Sequence, residues 1–155
     1  MTASVLIVTL GLTVVVANVL TSPSTSSRFV DPHSRQALLK IAQQFNDNYA
    51  ANRDGLVFDR WDAQSQSVIT RAEYIRRHRE CPAGLEAGTV ESATRSLNEY
   101  WKIDYVISGT RLTDYWHYVR GRWLFDLPRS NPTAVHLYRL PAHKYFVSVD
   151  CPHAK

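Results

Sequence analysis

Asp114 lies in an alternating run, Leu112-Thr113-Asp114-Tyr115-Trp116-His117-Tyr118, and shares a strand face with Leu112, Trp116 and Tyr118. It is the only carboxylate expected on that apolar face. A carboxyl group in such surroundings has its pKa raised, as a general acid or base working near neutrality requires. Tyr49, Tyr105 and Tyr118 are the candidate proton partners, and Trp116 supplies an aromatic wall. The same placement also suits a carboxylate that only fixes the core, bonded to a tyrosine hydroxyl or a helix N-terminus. His117 falls on the opposite strand face, where it is solvated or covered by the C-terminal tail. His78 is expected to face the core beside Tyr74. The six histidines and two cysteines form no H-x-x-x-H or C-x-x-C pattern, so no metal site is expected. No G-x-S-x-G elbow and no glycine-rich phosphate loop occurs, and no cofactor is expected.

The elements that must position these residues can be read from period and punctuation. Asp31-Pro32 reads as an N-cap followed by the first helical position, and Leu38, Ile41, Phe45 and Tyr49 then recur at helical spacing. A short helix follows over Leu56 to Trp61, Ser67-Val68-Ile69 reads as extended, and Thr70-Arg71-Ala72-Glu73 is a capping box opening a helix to about Glu80. After Gly88 the period changes to two. The first strand, about Thr89 to Leu97, is polar and suits a sheet edge. With a Gly109-Thr110 turn, Ile107 faces Leu112, Tyr105 faces Asp114, Ile103 faces Trp116 and Trp101 faces Tyr118. With an Arg120-Gly121 turn, Tyr118 faces Trp123, Trp116 faces Phe125 and Asp114 faces Leu127. Both registers put the large apolar residues on one face. The other face holds Lys102, Asp104, Val106, Thr113, Tyr115, His117, Leu124 and Asp126. Asn131-Pro132 starts a last helix, Thr133 to Leu140, and Tyr145-Phe146-Val147 reads as a strand. Residues 100–125 carry three of the four tryptophans, so the core centres there.

At 155 residues the chain has room for one domain, here 31–155. Residues 1–21 form an apolar leader without charge, between a signal peptide h-region and a membrane span in length, and residues 22–30 read as a flexible spacer. The leader implies export or anchoring. No Lys or Arg precedes the apolar run, and Arg28, Arg35 and Lys40 follow it, so its orientation stays open unless translation starts upstream. Cys81 and Cys151 then suggest a disulfide worth about 4 kcal/mol, two free structural thiols being the alternative. The net charge of +4 includes one dense basic cluster, Arg76, Arg77 and Arg79, read as a solvated face. No basic stripe interleaves with exposed aromatics, so nucleic acid is not an expected partner.

Two segments carry a family resemblance. Phe45-Asn46-Asp47-Asn48-Tyr49-Ala50-Ala51-Asn52-Arg53-Asp54-Gly55 resembles the end of the first helix in the nuclear transport factor-like superfamily, also called SnoaL-like. Tyr118-Val119-Arg120-Gly121-Arg122-Trp123-Leu124-Phe125 is similar to its closing G-R-W strand pair. With the order of elements, the likeness spans about Pro32 to Leu127. It implies an α+β cone: three N-terminal helices on a curved antiparallel sheet, with a pocket between. Some members are dehydratases, isomerases or epoxide hydrolases using a pocket Asp or His. Others bind ligands or partners, and exported or membrane-anchored actinobacterial members include accessory envelope proteins. Asp114 lies where a family acid could sit, and no second catalytic residue carries over. The leader and the tail after Pro128 depart from the compact enzymes, and a tail tied by Cys151 could close the pocket mouth. The expectation is therefore a non-catalytic binding or accessory domain of the cell envelope. Its partner would be a small apolar ligand or an envelope protein, and the outer sheet face could form a homodimer. The alternative is a small lyase, isomerase or hydrolase using Asp114.

Overall fold

The computed structural model describes residues 30–82, 84 and 86–151. The expected leader, and all of the spacer but Val30, lie outside the described residues. The chain folds as an α+β domain with a four-stranded antiparallel sheet in the order β1-β2-β3-β4. Helices α1 (Arg35–Ala50), α2 (Asp54–Phe58), α3 (Ala63–Gln66) and α4 (Arg71–Glu80) precede the strands. The strands are β1 (Thr89–Arg95), β2 (Tyr100–Ile107), β3 (Thr110–Val119) and β4 (Arg122–Phe125), and α5 (Leu127–Ser130), α6 (Pro132–Arg139) and α7 (Ala142–Ser148) follow. Among the described residues no helix is long and apolar enough to cross a membrane.

Helix α1 begins three residues later than Asp31-Pro32 predicts. Ser34 caps it, accepting from the Ala37 N–H at 3.1 Å. Asp31 is committed elsewhere: its N–H donates to Gly121 O, and its carboxylate accepts from Trp123 N–H at 2.9 Å and Arg60 at 2.6 Å. These bonds fasten the chain before α1 to the β3–β4 turn. The stripe then behaves as its spacing requires, with Leu38, Ile41 and Phe45 buried and Tyr49 partly buried. Helix α2 ends before Trp61, which pairs with Phe125 in an isolated bridge. Asp62 caps the unforeseen α3 by accepting from Ser65 N–H at 2.7 Å, and Ser67-Val68-Ile69 forms turns and bends instead of a strand.

Thr70 caps α4 as expected. Glu73 turns its carboxylate to Arg76 and Arg77, each at 2.7 Å, and does not close the capping box. Two members of the basic cluster, Arg76 and Arg77, are thus paired with acidic residues of the same helix; Arg77 is buried rather than solvated, while Arg79 is exposed as expected.

The β3–β4 register is the predicted one, with Tyr118 opposite Trp123 and Trp116 opposite Phe125. The pairing of Asp114 with Leu127 does not form. The chain leaves the sheet after Phe125, where Asp126 caps α5. The β2–β3 register is shifted by two residues from the predicted one: Ile107 pairs with Thr110, Tyr105 with Leu112, Ile103 with Asp114 and Trp101 with Trp116. Ser108 and Gly109 both take positive φ, 48° and 79°, so they form the two-residue turn. A slip of two keeps every side chain on its face. Ile103, Trp116, Trp123 and Phe125 accordingly fill the core against α1.

After α5, Asn131 caps α6 as expected. Residues 142–148 are helical, not a strand, because Tyr145 and Phe146 bury against α4 with Arg77 and Arg76 over their rings. Arg77 also donates to Tyr138 O and Leu140 O, and Cys81 is bonded to Cys151 with Cα atoms 5.8 Å apart. The C-terminal helices are therefore held on α4 at two points.

Candidate functional site

The sheet, the N-terminal helices and the C-terminal helices enclose a cavity of about 200 Å³. Helix α1 contributes Phe45, Asn46 and Tyr49 to its wall. Val57, Trp61 and Tyr74 come from the next helical layer, and Tyr105, Ile107, Leu112, Asp114 and Phe125 from the sheet. Leu127, Asn131, Ala134 and Tyr138 close the remaining side. Leu112 and Asn131 are exposed, so the mouth opens between the end of the β2–β3 hairpin and the start of α6.

Asp114 projects into this cavity because β3 alternates and its inward residues face α1. It pairs directly with Ile103, and Tyr105 reaches it along the diagonal. The Tyr105 hydroxyl donates to Asp114 Oδ1 at 3.3 Å, a long bond. Burial pushes the Asp114 carboxyl from 3.8 up to about 7, against the smaller opposing effect of that hydrogen bond. Burial and the Asp114 charge in turn push the Tyr105 hydroxyl well up, so it stays a donor across the physiological range. Tyr49 is pushed up to about 12, by burial first and then by Tyr145 and Asp54.

Asp114, Tyr105 and Tyr49 therefore share the cavity, as their sequence positions suggest, whereas two other expected pocket residues do not line it. Trp116 is fully buried behind the wall, edge-on to Phe45 with centroids 5.2 Å apart. Tyr118 lies four residues beyond Asp114 along the strand, about 13 Å away. It stacks on His33 at 4.1 Å and donates to Asp31 O at 2.6 Å. It serves the junction before α1 and is no proton partner for Asp114. His117 takes the outer face as expected, but what covers it is the N-terminus of α3: Nε2 lies 3.1 Å from Asp62 Oδ2.

The sequence does not reveal a second polar array behind the helical wall. His78 Nε2 lies 2.9 Å from the Tyr138 hydroxyl, and Nδ1 lies 3.5 Å from Asp54 Oδ1. All three residues are buried. Burial lowers the His78 pKa to about 4, so the imidazole is neutral, and burial raises that of Asp54. A neutral ring accepts from Tyr138 at Nε2 and turns its Nδ1 proton towards Asp54, too far away to satisfy Oδ1. Tyr74 packs beside His78 at 4.3 Å, which bears out the core placement of that histidine. Asp54 carries no advance signal beyond its place before a glycine. Tyr138 shows only as a helical partner of Val135.

Three buried polar atoms of the cavity wall and of this array have no hydrogen-bond partner among the described residues: Trp61 Nε1, the Tyr74 hydroxyl and Asp54 Oδ1. Among the described residues no His, Cys, Asp and Glu side chains group to hold a metal ion. Chemically the site offers aromatic walls, one carboxyl group able to change charge near neutrality, and fixed hydroxyl dipoles. Neither the family models nor the curated proteins give a match to this chain.

Proposed function

We propose that this domain is a non-catalytic binding or accessory module of the cell envelope, whose aromatic cavity holds a small, largely apolar ligand. The observation that carries the reading is the cavity itself, walled by three sets of elements and open at one mouth. Its wall is mostly aromatic and aliphatic, with Asp114, Asn46, Asn131 and a few hydroxyls as the polar fixtures, which is the usual composition of a ligand site. A helical layer packed against a sheet with a pocket between them supports membership of the nuclear transport factor-like, cone-shaped class. The Cys81–Cys151 bond supports an oxidising compartment, since such bonds persist there and are rare in the cytosol. Residues 1–21 would supply the export signal or the anchor.

The alternative, a small lyase, isomerase or hydrolase, draws on the Asp114–Tyr105 pair. A carboxyl group poised at about 7 beside a hydroxyl donor could pass a proton to or from a bound substrate. Ligand-observed NMR on a panel of small aromatic and aliphatic fragments separates these readings from an empty core. A ten-atom fragment at about 0.4 kcal/mol per atom binds near 1 mM. Several fragments should bind the native chain and lose contact in Ala134→Trp, which fills the cavity from α6. Fragments that bind neither chain, or both alike, would overturn the binding reading. Turnover of a bound fragment that disappears in a stable Asp114→Asn chain would establish the enzyme instead.

A further inference from the structure

The charges around the cavity are one-sided. Among the described residues its wall carries no Lys, Arg or His, and its one charge-bearing side chain is the Asp114 carboxyl. Among the described residues that group has a single hydrogen-bond partner, the Tyr105 hydroxyl at 3.3 Å. A carboxylate offers about four acceptor positions, so most of its capacity is unused. The second buried carboxylate, Asp54, stands behind Tyr138 with only a neutral imidazole between them and leaves its Oδ1 unpaired. The hydroxyl protons of Tyr105 and Tyr138 are directed at Asp114 and His78, which leaves their oxygens as further acceptors. Phe45, Tyr49, Trp61 and Phe125 supply aromatic rings to the wall, and such rings attract a cation.

Resting on the pocket reading above, we infer that the ligand is a small organic ammonium ion. Its N–H groups are taken by Asp114, and its apolar body lies against the aromatic wall. An ammonium supplies the counter-charge that the wall withholds from Asp114. A body of about ten heavy atoms suits the enclosed volume. A neutral ligand of equal shape would leave the carboxylate without a counter-charge.

Two probes share a phenyl group and a hydroxyl and differ by the ammonium group: 2-amino-1-phenylethanol, cationic at pH 8, and 1-phenylethanol, which has a methyl group in place of the aminomethyl group. Titrations of the full chain at pH 8, followed by tryptophan fluorescence and by ligand NMR, should show the amino alcohol binding at least about tenfold more tightly. Asp114→Asn should remove that preference, so that the two probes bind the variant alike. If the variant does not fold, the comparison of the two probes on the native chain still decides. Equal binding of both probes, lost in Ala134→Trp, would overturn the ammonium assignment and leave the pocket reading standing. Binding of neither probe at about 10 mM, while other fragments occupy the cavity, would overturn it as well. Only the failure of every fragment would bring down the pocket reading itself.

Discussion

Replacing Asp114 with asparagine keeps the shape of the side chain and removes its charge. In the native chain burial raises the carboxyl from 3.8 to about 7. The folded pKa therefore lies above the unfolded one, and between about pH 4 and pH 7 the folded chain binds more protons than the unfolded chain. Stability contributed by this group is full below the unfolded pKa and is lost as pH rises through that window. At about 1.36 kcal/mol per unit, the ionised group costs the fold about 4 kcal/mol at pH 8. Asparagine carries no such cost. Its amide N–H groups have no acceptor in place, however, which removes about 1–3 kcal/mol at every pH. Asp114→Asn is thus expected to be about 2 kcal/mol less stable than the native chain at pH 4 and about 2 kcal/mol more stable at pH 8. The swing of about 4 kcal/mol is the decisive quantity, because every other titrating group is common to both chains and cancels. Urea unfolding followed by tryptophan fluorescence at pH 4, 6 and 8 measures it directly. Two stability profiles that run parallel across this range would refute the assignment of Asp114 as a buried carboxylate without a counter-charge.

His78 acts in the opposite sense. Its folded pKa of about 4 lies below the unfolded 6.5, so its contribution is present above pH 6.5 and is lost, by about 3 kcal/mol, as pH falls to 4. His78→Phe should flatten that acid slope in urea titrations while lowering stability at pH 7 by about 1–3 kcal/mol, because the Tyr138 hydroxyl loses its partner. Cys81→Ser opens a loop of 70 residues and should cost about 4 kcal/mol by thermal unfolding. It should also weaken fragment binding, since α6 carries Tyr138 and Ala134 and the bond helps hold the C-terminal helices on α4. Asp31→Ala leaves the Trp123 N–H without its acceptor and Arg60 without its carboxylate. A loss of about 2–3 kcal/mol in urea unfolding is expected, with cavity binding unchanged.

What the sequence reveals of this fold follows from which signals are local. Period-two alternation places Asp114 on the inner face, and a register error of two residues leaves that placement intact, since parity survives any even slip. The β3–β4 turn is legible because Arg120-Gly121 stands between strands of clear pattern. The β2–β3 turn is displaced because Ser108 takes a positive φ that its identity does not announce. The same displacement moves Tyr105 from a position opposite Asp114 to one diagonal to it, where its long side chain still reaches the carboxyl. The placement of Tyr118 fails for a different reason. A face is shared along a whole strand, but a cavity spans only part of its length. The helical form of Tyr145-Phe146-Val147 depends on Arg76 and Arg77 of α4, which lie some seventy residues earlier and leave no local trace. The Asp54–His78–Tyr138 array is likewise assembled from three separate helices, so no spacing in the chain encodes it.

The central claim is that Asp114 is an uncompensated carboxyl group presented to a ligand cavity. The most direct measurement is a pH titration of its side-chain carboxyl carbon by NMR in the ¹³C-labelled chain, assigned with Asp114→Asn. A midpoint near 7, well above those of the other aspartates, is the expected result. A midpoint near 4 would mean that water or an unrecognised cation already satisfies the group, and would contradict both the binding site and the ligand inferred for it.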